Sequence, residues 1–276
     1  MLCYSTGSLP DGITFPAIRD ILASTPFTGV ELVVTPDMLA RWNDALYWQG
    51  VRDLFRDRGL AFRNVHMGAP FLLGPEAHRP GLSALDPALR ALKIQAAERC
   101  LSIAVYLGCP HVTLTTGLAE SEADRPAQAL AFRLALRGLL GRLPKSVKIL
   151  IEQEPEHVIN SAAQLVALGR EFQGYVFATF DVGHSHVLGE DTPAAIRALG
   201  DLIRNVHLED IQGRVHAHKL YGEGDMDFAA LFAALHSIGY RGDYTPDLYP
   251  FKDSYATAMT ASLAFLRRHS VLTQAL

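Results

Sequence analysis

The chain has 276 residues, of which 49% are hydrophobic and 20% charged, and a formal net charge of −4 at pH 7. This is the composition of an ordinary globular protein able to bury a full core, and the length suits one domain, residues 1–276, of the size typical of a (β/α)8 barrel, about 250 residues. The slightly acidic balance argues against nucleic acid as a partner, since DNA and RNA binders draw most of their non-specific affinity from an excess of Lys and Arg.

From the N-terminus, Met1–Pro10 carries neither a basic region nor a long apolar one, so no signal peptide or membrane partner is expected. The three cysteines, Cys3, Cys100 and Cys109, are an odd number without metal-type spacing, which suits a reducing cytoplasm. Short β-rich runs then alternate with longer segments of helical periodicity. The candidate strands are Leu2–Ser5, Gly29–Val33, Ala61–His66, His111–Thr115, Lys148–Glu152, Val176–Asp181, Leu202–Leu208 and Asp243–Asp247. Between them, segments such as Asp86–Leu107 and Arg125–Leu143 repeat Leu, Ala and Ile at spacings of three and four. Parallel strands need long crossovers, so eight such units predict a closed (β/α)8 TIM barrel; an open doubly wound sheet is the alternative, disfavoured because no G-x-G-x-x-G follows a strand. Gly68–Leu85 lacks periodicity and reads as a long loop after the third strand.

In a parallel barrel the site forms where strands end, so polar residues closing apolar runs matter most. Lys148-Ile-Leu-Ile-Glu152 and Val176-Phe-Ala-Thr-Phe-Asp181 end on carboxylates, Ile203-Arg-Asn-Val-His207 on a histidine, and Asp243-Tyr-Thr-Pro-Asp247 on an aspartate. Such an N/O set suits a divalent ion, Mn, Mg, Co or Zn. His66 closes the third strand, His184 follows Asp181, and five of the eleven histidines, His184, His186, His207, His216 and His218, fall between positions 184 and 218. His66, His184 and His218 read as site residues, whereas His186 and His216 read as solvent-exposed loop residues. Gly222-Glu-Gly224 reads as a tight turn ahead of a helix capped by Asp227, with backbone amides open to a phosphate as the other reading. Trp42, Trp48, Phe71 and Tyr249 are candidate pocket walls, Phe71 first among them.

Several of these words together resemble the xylose isomerase-like barrel superfamily: Gly29-Val-Glu31-Leu, Asn64-Val-His66, Ile149-Leu-Ile-Glu152, Phe180-Asp181-Val-Gly-His184, Asn205-Val-His207-Leu-Glu-Asp210 and His218-Lys-Leu-Tyr-Gly222-Glu-Gly224-Asp-Met-Asp227-Phe. The resemblance runs in order over nearly the whole chain. It implies one divalent ion on Glu152, Asp181, His207 and Asp247, with Glu152 as catalytic base, Asp247 as second carboxylate and His184 beside them. It also implies substrate contacts from His66, His218, Phe71 and Glu31, the last orienting His66. The implied reaction is isomerisation or epimerisation of a small sugar, polyol or cyclitol, with or without a phosphate, by proton abstraction next to a carbonyl. A dehydratase of the inosose type shares this chemistry, and a non-catalytic metabolite-binding barrel is a further alternative. The chain departs from the pattern at Asp247, one methylene shorter than the usual Glu, which bears on a two-base epimerase. The endonuclease IV pattern fits at His66, His184 and His218 but not at Thr115-Thr116-Gly117 or His216, where that group has a histidine and an aspartate. A homo-oligomer is a family-level expectation.

Overall fold

The structure is a computed structural model that describes residues 1–269; positions 270–276 of the expected domain lie outside them. Eight parallel strands form one sheet: β1 (Cys3–Ser5), β2 (Gly29–Val33), β3 (Ala61–His66), β4 (His111–Leu114), β5 (Lys148–Glu152), β6 (Val176–Asp181), β7 (Ile203–Leu208) and β10 (Asp243–Pro246), in that order. Leu2 bridges Tyr244 and the Tyr244 N–H donates to the Met1 carbonyl at 2.9 Å, joining the two edges. The result is a (β/α)8 TIM barrel. Two further short strands, β8 (Asp210–Gln212) and β9 (Val215–Lys219), form an antiparallel hairpin beyond β7 where only a loop is expected.

The helices are α1 (Phe15–Ala23), α2 (Pro36–Ala40), α3 (Ala45–Arg56), α4 (Pro87–Leu107), α5 (Arg125–Leu140), α6 (Ala162–Glu171), α7 (Val182–Val187), α8 (Thr192–Leu199), α9 (Phe228–Ser237) and α10 (Tyr255–Arg268). Their starts are written in the sequence. Thr14, Thr35, Asp44, Asp86, Ser161, Asp191 and Asp227 each accept a first-turn N–H, and Ser161 with Gln164 forms a reciprocal capping box. α5 stops at Leu140 rather than at Leu143, because Gly141 follows and Pro144 can neither donate a helical hydrogen bond nor leave Leu143 helical. Among the described residues no helix is long and apolar enough to cross a membrane.

Outside the barrel wall, Val30, Leu32, Val65, Val112, Leu114, Ile149, Ile151, Phe180, Val206 and Leu208 are fully buried in the apolar layer shared with the helices. The interior beneath the mouth is polar instead. Asn64 donates to Glu31 Oε2 (2.8 Å) and to Thr113 (2.7 Å), Thr113 meets Thr179 (2.7 Å), Asn205 donates to Glu31 Oε2 (3.0 Å), and Thr245 donates to Asn205 (2.9 Å). This network arises from a repeated word, Arg-Asn-Val-His, on β3 and again on β7, four strands away and so across the barrel. Side chains alternate along a strand, so Asn64 and His66, and likewise Asn205 and His207, share the inner face.

Candidate metal centre at the barrel mouth

Parallel register brings the strand ends level: Glu152 lies opposite Thr179, Asp181 opposite His207, and the Asp247 N–H donates to the Leu208 carbonyl at 2.9 Å, just past β10. His207 is the hub. Its Nε2 meets Glu31 Oε2 at 2.9 Å, while its Nδ1 lies 2.8 Å from Glu152 Oε1, 3.8 Å from Asp181 Oδ2 and 4.0 Å from Asp247 Oδ2. Despite this crowding, Nδ1 and Asp181 Oδ2 are buried without an aligned hydrogen bond. Electron pairs aimed at a common point and left unpartnered are what a cation would satisfy. With Nε2–H bound to Glu31, the neutral imidazole presents its Nδ1 lone pair to that point, the usual arrangement behind a metal-binding histidine. Asp181, His207 and Asp247 are close enough to share one ion, and Glu152 adjoins them at His207 Nδ1, a carboxylate and imidazole set that suits a divalent ion.

The electrostatics follow from burial and from these pairs. Burial alone would push Glu31 up and His207 down. Their mutual attraction wins for both: Glu31 falls to about 2, and His207, also facing Glu152, rises well above its usual range. Such a proton must leave Nδ1 when a cation takes its lone pair, so binding would release it. His66 Nε2 meets Glu152 Oε2 at 2.6 Å, and because its Nδ1 accepts the Gly68 N–H (3.2 Å), Nε2 is the protonated nitrogen. Glu31 thus bonds His207, Asn64 and Asn205 and not His66, the residue it was expected to orient.

A second constellation abuts the first. His184 gives Nδ1–H to the Gln153 carbonyl (2.7 Å), and burial before all else lowers its imidazole to about 4, so Nε2 carries a free lone pair. Its ring centroid is 4.6 Å from that of His216 and 6.0 Å from that of His218. His218 Nε2 lies 2.7 Å from His216 Nε2, and its Nδ1 meets the Glu209 carboxylate and the Asp247 carbonyl (3.0 Å). Burial lowers His218, but Glu209 and Asp247 outweigh it and raise the ring to about 10. His184, Glu209, His216 and His218 are close enough to share one ion. The hairpin explains why two of them meet: His216 and His218 alternate on β9 and so face the same way.

His216 is exposed as expected, but it stands on β9 rather than in a loop and adjoins His184 and His218, whereas His186 pairs with Asp225 at 3.0 Å away from them. Glu209 lies two residues past His207, beyond the end of β7, where the pattern of polar residues closing apolar runs does not mark it. Gly222 and Gly224 make a turn: both amides donate to Asp210 Oδ2 (2.7 and 3.0 Å), leaving neither for a phosphate. Trp48 is buried in the core with its indole N–H on the Arg41 carbonyl, and Trp42 packs against that core. Phe71 is 61% exposed on its loop, and Tyr249 is the aromatic that meets the site, 4.5 Å from His218.

The fold and this mouth define a (β/α)8 barrel with a carboxylate and imidazole centre at the C-terminal ends of its strands. The chain belongs to the xylose isomerase-like TIM barrel family, which matches residues 19–269. A stretch of 79 residues is 33% identical to an Escherichia coli (strain K12) protein provisionally named an L-ribulose-5-phosphate 3-epimerase, and it spans about a quarter of each chain, 26% of this one and 27% of that one. Among solved structures, the IOLI protein with a bound zinc atom superposes with a TM-score of 0.81 at 15% identity, covering 98% of both chains. A D-tagatose 3-epimerase-like protein gives 0.79 at 18% identity over 99% of this chain and 98% of that one. The family 2 AP endonuclease of Brucella melitensis gives 0.73 at 20%, over 90% and 92%. At these identities the superpositions establish the shared fold. The proteins that the chain resembles carry the names of epimerases, of the IOLI protein and of an AP endonuclease.

Proposed function

We propose that this barrel isomerises or epimerises a small sugar, polyol or cyclitol with one divalent ion, by removing the proton next to a carbonyl. The observation that carries the reading is that Asp181, His207 and Asp247 lie close enough to share one ion, with Glu152 Oε1 2.8 Å from His207 Nδ1 and with His207 Nδ1 and Asp181 Oδ2 buried and unpartnered. Bound there, the ion would supply Lewis acidity to the substrate's hydroxyl and carbonyl oxygens. The remaining work falls to the chain itself. Glu152 is the base; His66 holds its Oε2 by a short, charge-assisted hydrogen bond and so fixes the carboxylate plane. The neutral His184 offers Nε2 to a substrate hydroxyl, while the protonated His218, engaged by His216 at Nε2 and by Glu209 and the Asp247 carbonyl at Nδ1, holds Asp247 in place. Glu152 alone suffices for isomerisation. Inversion needs a donor on the other face, for which Asp247 beside His218 (3.7 Å) is the candidate. The zinc atom of the IOLI protein and the epimerase names among the relatives support this reading.

One observation favours a second reading, phosphodiester hydrolysis with several ions: the cluster of His184, Glu209, His216 and His218. Elemental mass spectrometry on protein purified without chelators separates the two. About one divalent ion per chain, lost in Glu152→Gln and Asp181→Asn, is the expected result, followed by deuterium uptake at carbon from solvent on ketoses or inososes. Loss of water from an inosose instead of exchange would mean a dehydratase, and two or three zinc ions would favour hydrolysis. An ion with no reaction would leave a binding barrel, and no ion after reconstitution would overturn the proposal.

A further inference from the structure

A group of donors lies outside the proposed chemistry. Lys93 stands in the second turn of α4, on the stripe facing the barrel, where Ala96, Ala97, Cys100 and Ala104 follow it. It is only 4% exposed. Among the described residues its ammonium makes no hydrogen bond and meets no carboxylate within ion-pair distance; Cys100 and Glu154 are the acids whose fields reach it. An ammonium held in such a place without a partner costs stability, and an apolar residue would serve the packing better.

His157, in the loop after β5, presents a second unused donor. Its Nδ1 accepts the Gly117 N–H at 3.2 Å, which leaves the ring proton on Nε2, and Nε2 is buried with no partner. Burial, then the neighbouring His78, His184 and Lys93, push this imidazole down to about 3, so it stays a neutral N–H donor. His78 packs edge-on against it at 5.1 Å, in a backbone conformation with φ +56° that L-residues seldom adopt. The surrounding loops are tied together: Arg125 donates to the His157 carbonyl (2.7 Å), Leu118 bridges His157, and a Cβ on Gly117 would fall 2.5 Å from the Gly81 Cα. The charges of Lys93 and Glu152 both bear on His78 and His157.

We propose that Lys93, His157 and His78 form a subsite for the anionic end of the substrate, a phosphate or carboxylate remote from the reacting carbon. The assignment rests on the reading of Glu152 and its neighbours as a site for a polyhydroxylated carbonyl compound, and it adds that this compound is charged. An ammonium and a buried imidazole N–H are donors only, so the group they lack is an acceptor with negative charge.

The test is thermal unfolding of the full chain, native and Lys93→Met, at one pH and constant ionic strength, in chloride, inorganic phosphate or malonate. Each is run on protein as purified and after chelation. In chloride, Lys93→Met is expected to melt above the native protein, having lost an unpaired charge. Phosphate or malonate is expected to raise the native melting temperature by about 2 °C or more, with and without chelation, and to leave Lys93→Met unmoved. A response to phosphate points to a phosphorylated substrate, and one to malonate alone points to a carboxylate. Equal responses in both proteins, no response in the native one, a response abolished by chelation, or a Lys93→Met that melts lower would each overturn the assignment. The metal-dependent reading survives any of these, because metal content and deuterium uptake are measured without these anions.

Discussion

At the scale of single residues, Glu31 does most to decide what His207 can be. Its Oε2 receives His207, Asn64 and Asn205 at 2.9, 2.8 and 3.0 Å, so one buried carboxylate fixes both the tautomer and the plane of the imidazole. A carboxylate behind a metal-binding histidine also raises its basicity, and losing such a partner typically weakens metal affinity by about 10–100-fold. Glu31→Gln is therefore expected to lower zinc affinity by about that factor in chelator competition, with unchanged stoichiometry. Unaltered affinity with a lower melting temperature would assign Glu31 to the barrel core alone. The ends of the strands were legible in the sequence because Glu152, Asp181 and His207 each close an apolar run. The role of Glu31 was less so, since a pattern read along one strand does not say which of two histidines on other strands a carboxylate will meet.

At the scale of elements, α7 and the β8–β9 hairpin show what sequence patterns miss. Both are short, six residues and a pair of strands of three and five, and neither has the length over which periodicity becomes visible. Yet they carry His184, His216 and His218, while the eight barrel strands and the long α4 are readable from their own residues. The two elements are joined through a glycine. A Cβ at Gly183 would sit 2.0 Å from Glu209 Oε1 and 2.5 Å from its Cγ, so position 183 must be Gly for Glu209 to lie beside His218. Gly183→Ala is expected to cost about 1–3 kcal/mol by overpacking, read from denaturant unfolding. In the double variant with Glu209→Ala most of that cost should return, because the obstacle has gone. Additive losses would mean that the backbone of α7, and not the Glu209 side chain, sets the limit.

At the scale of the whole molecule, the barrel tolerates an unusual amount of buried charge, and Lys93 is where this is measurable. The sequence showed it only as one Lys on a stripe of Ala, Cys and Leu, a break in periodicity that becomes informative once the stripe is known to face the barrel. Burial lowers Lys93 from 10.5 to about 8, with Cys100 and Glu154 too weak to restore it. Below pH 8 the ammonium is charged in both folded and unfolded chains, and its full burial cost is present. Between about 8 and 10.5 the unfolded chain holds the proton more tightly, so the stability of the native protein relative to Lys93→Met must rise with pH. A shift of this size corresponds to roughly 3 kcal/mol, so the advantage of Lys93→Met should approach that value at pH 7 and vanish toward pH 10.5. Taking the difference between two proteins removes the opposite trend from a buried thiol outside the reach of Lys93, Cys109, which burial pushes up to about 12 and which destabilises the fold as pH rises past 9. Chemical denaturation of both proteins from pH 7 to 10.5 measures the curve. A pH-independent difference would show that Lys93 keeps its ordinary basicity, and that its ammonium reaches solvent or a partner through motion of the loop that carries His78.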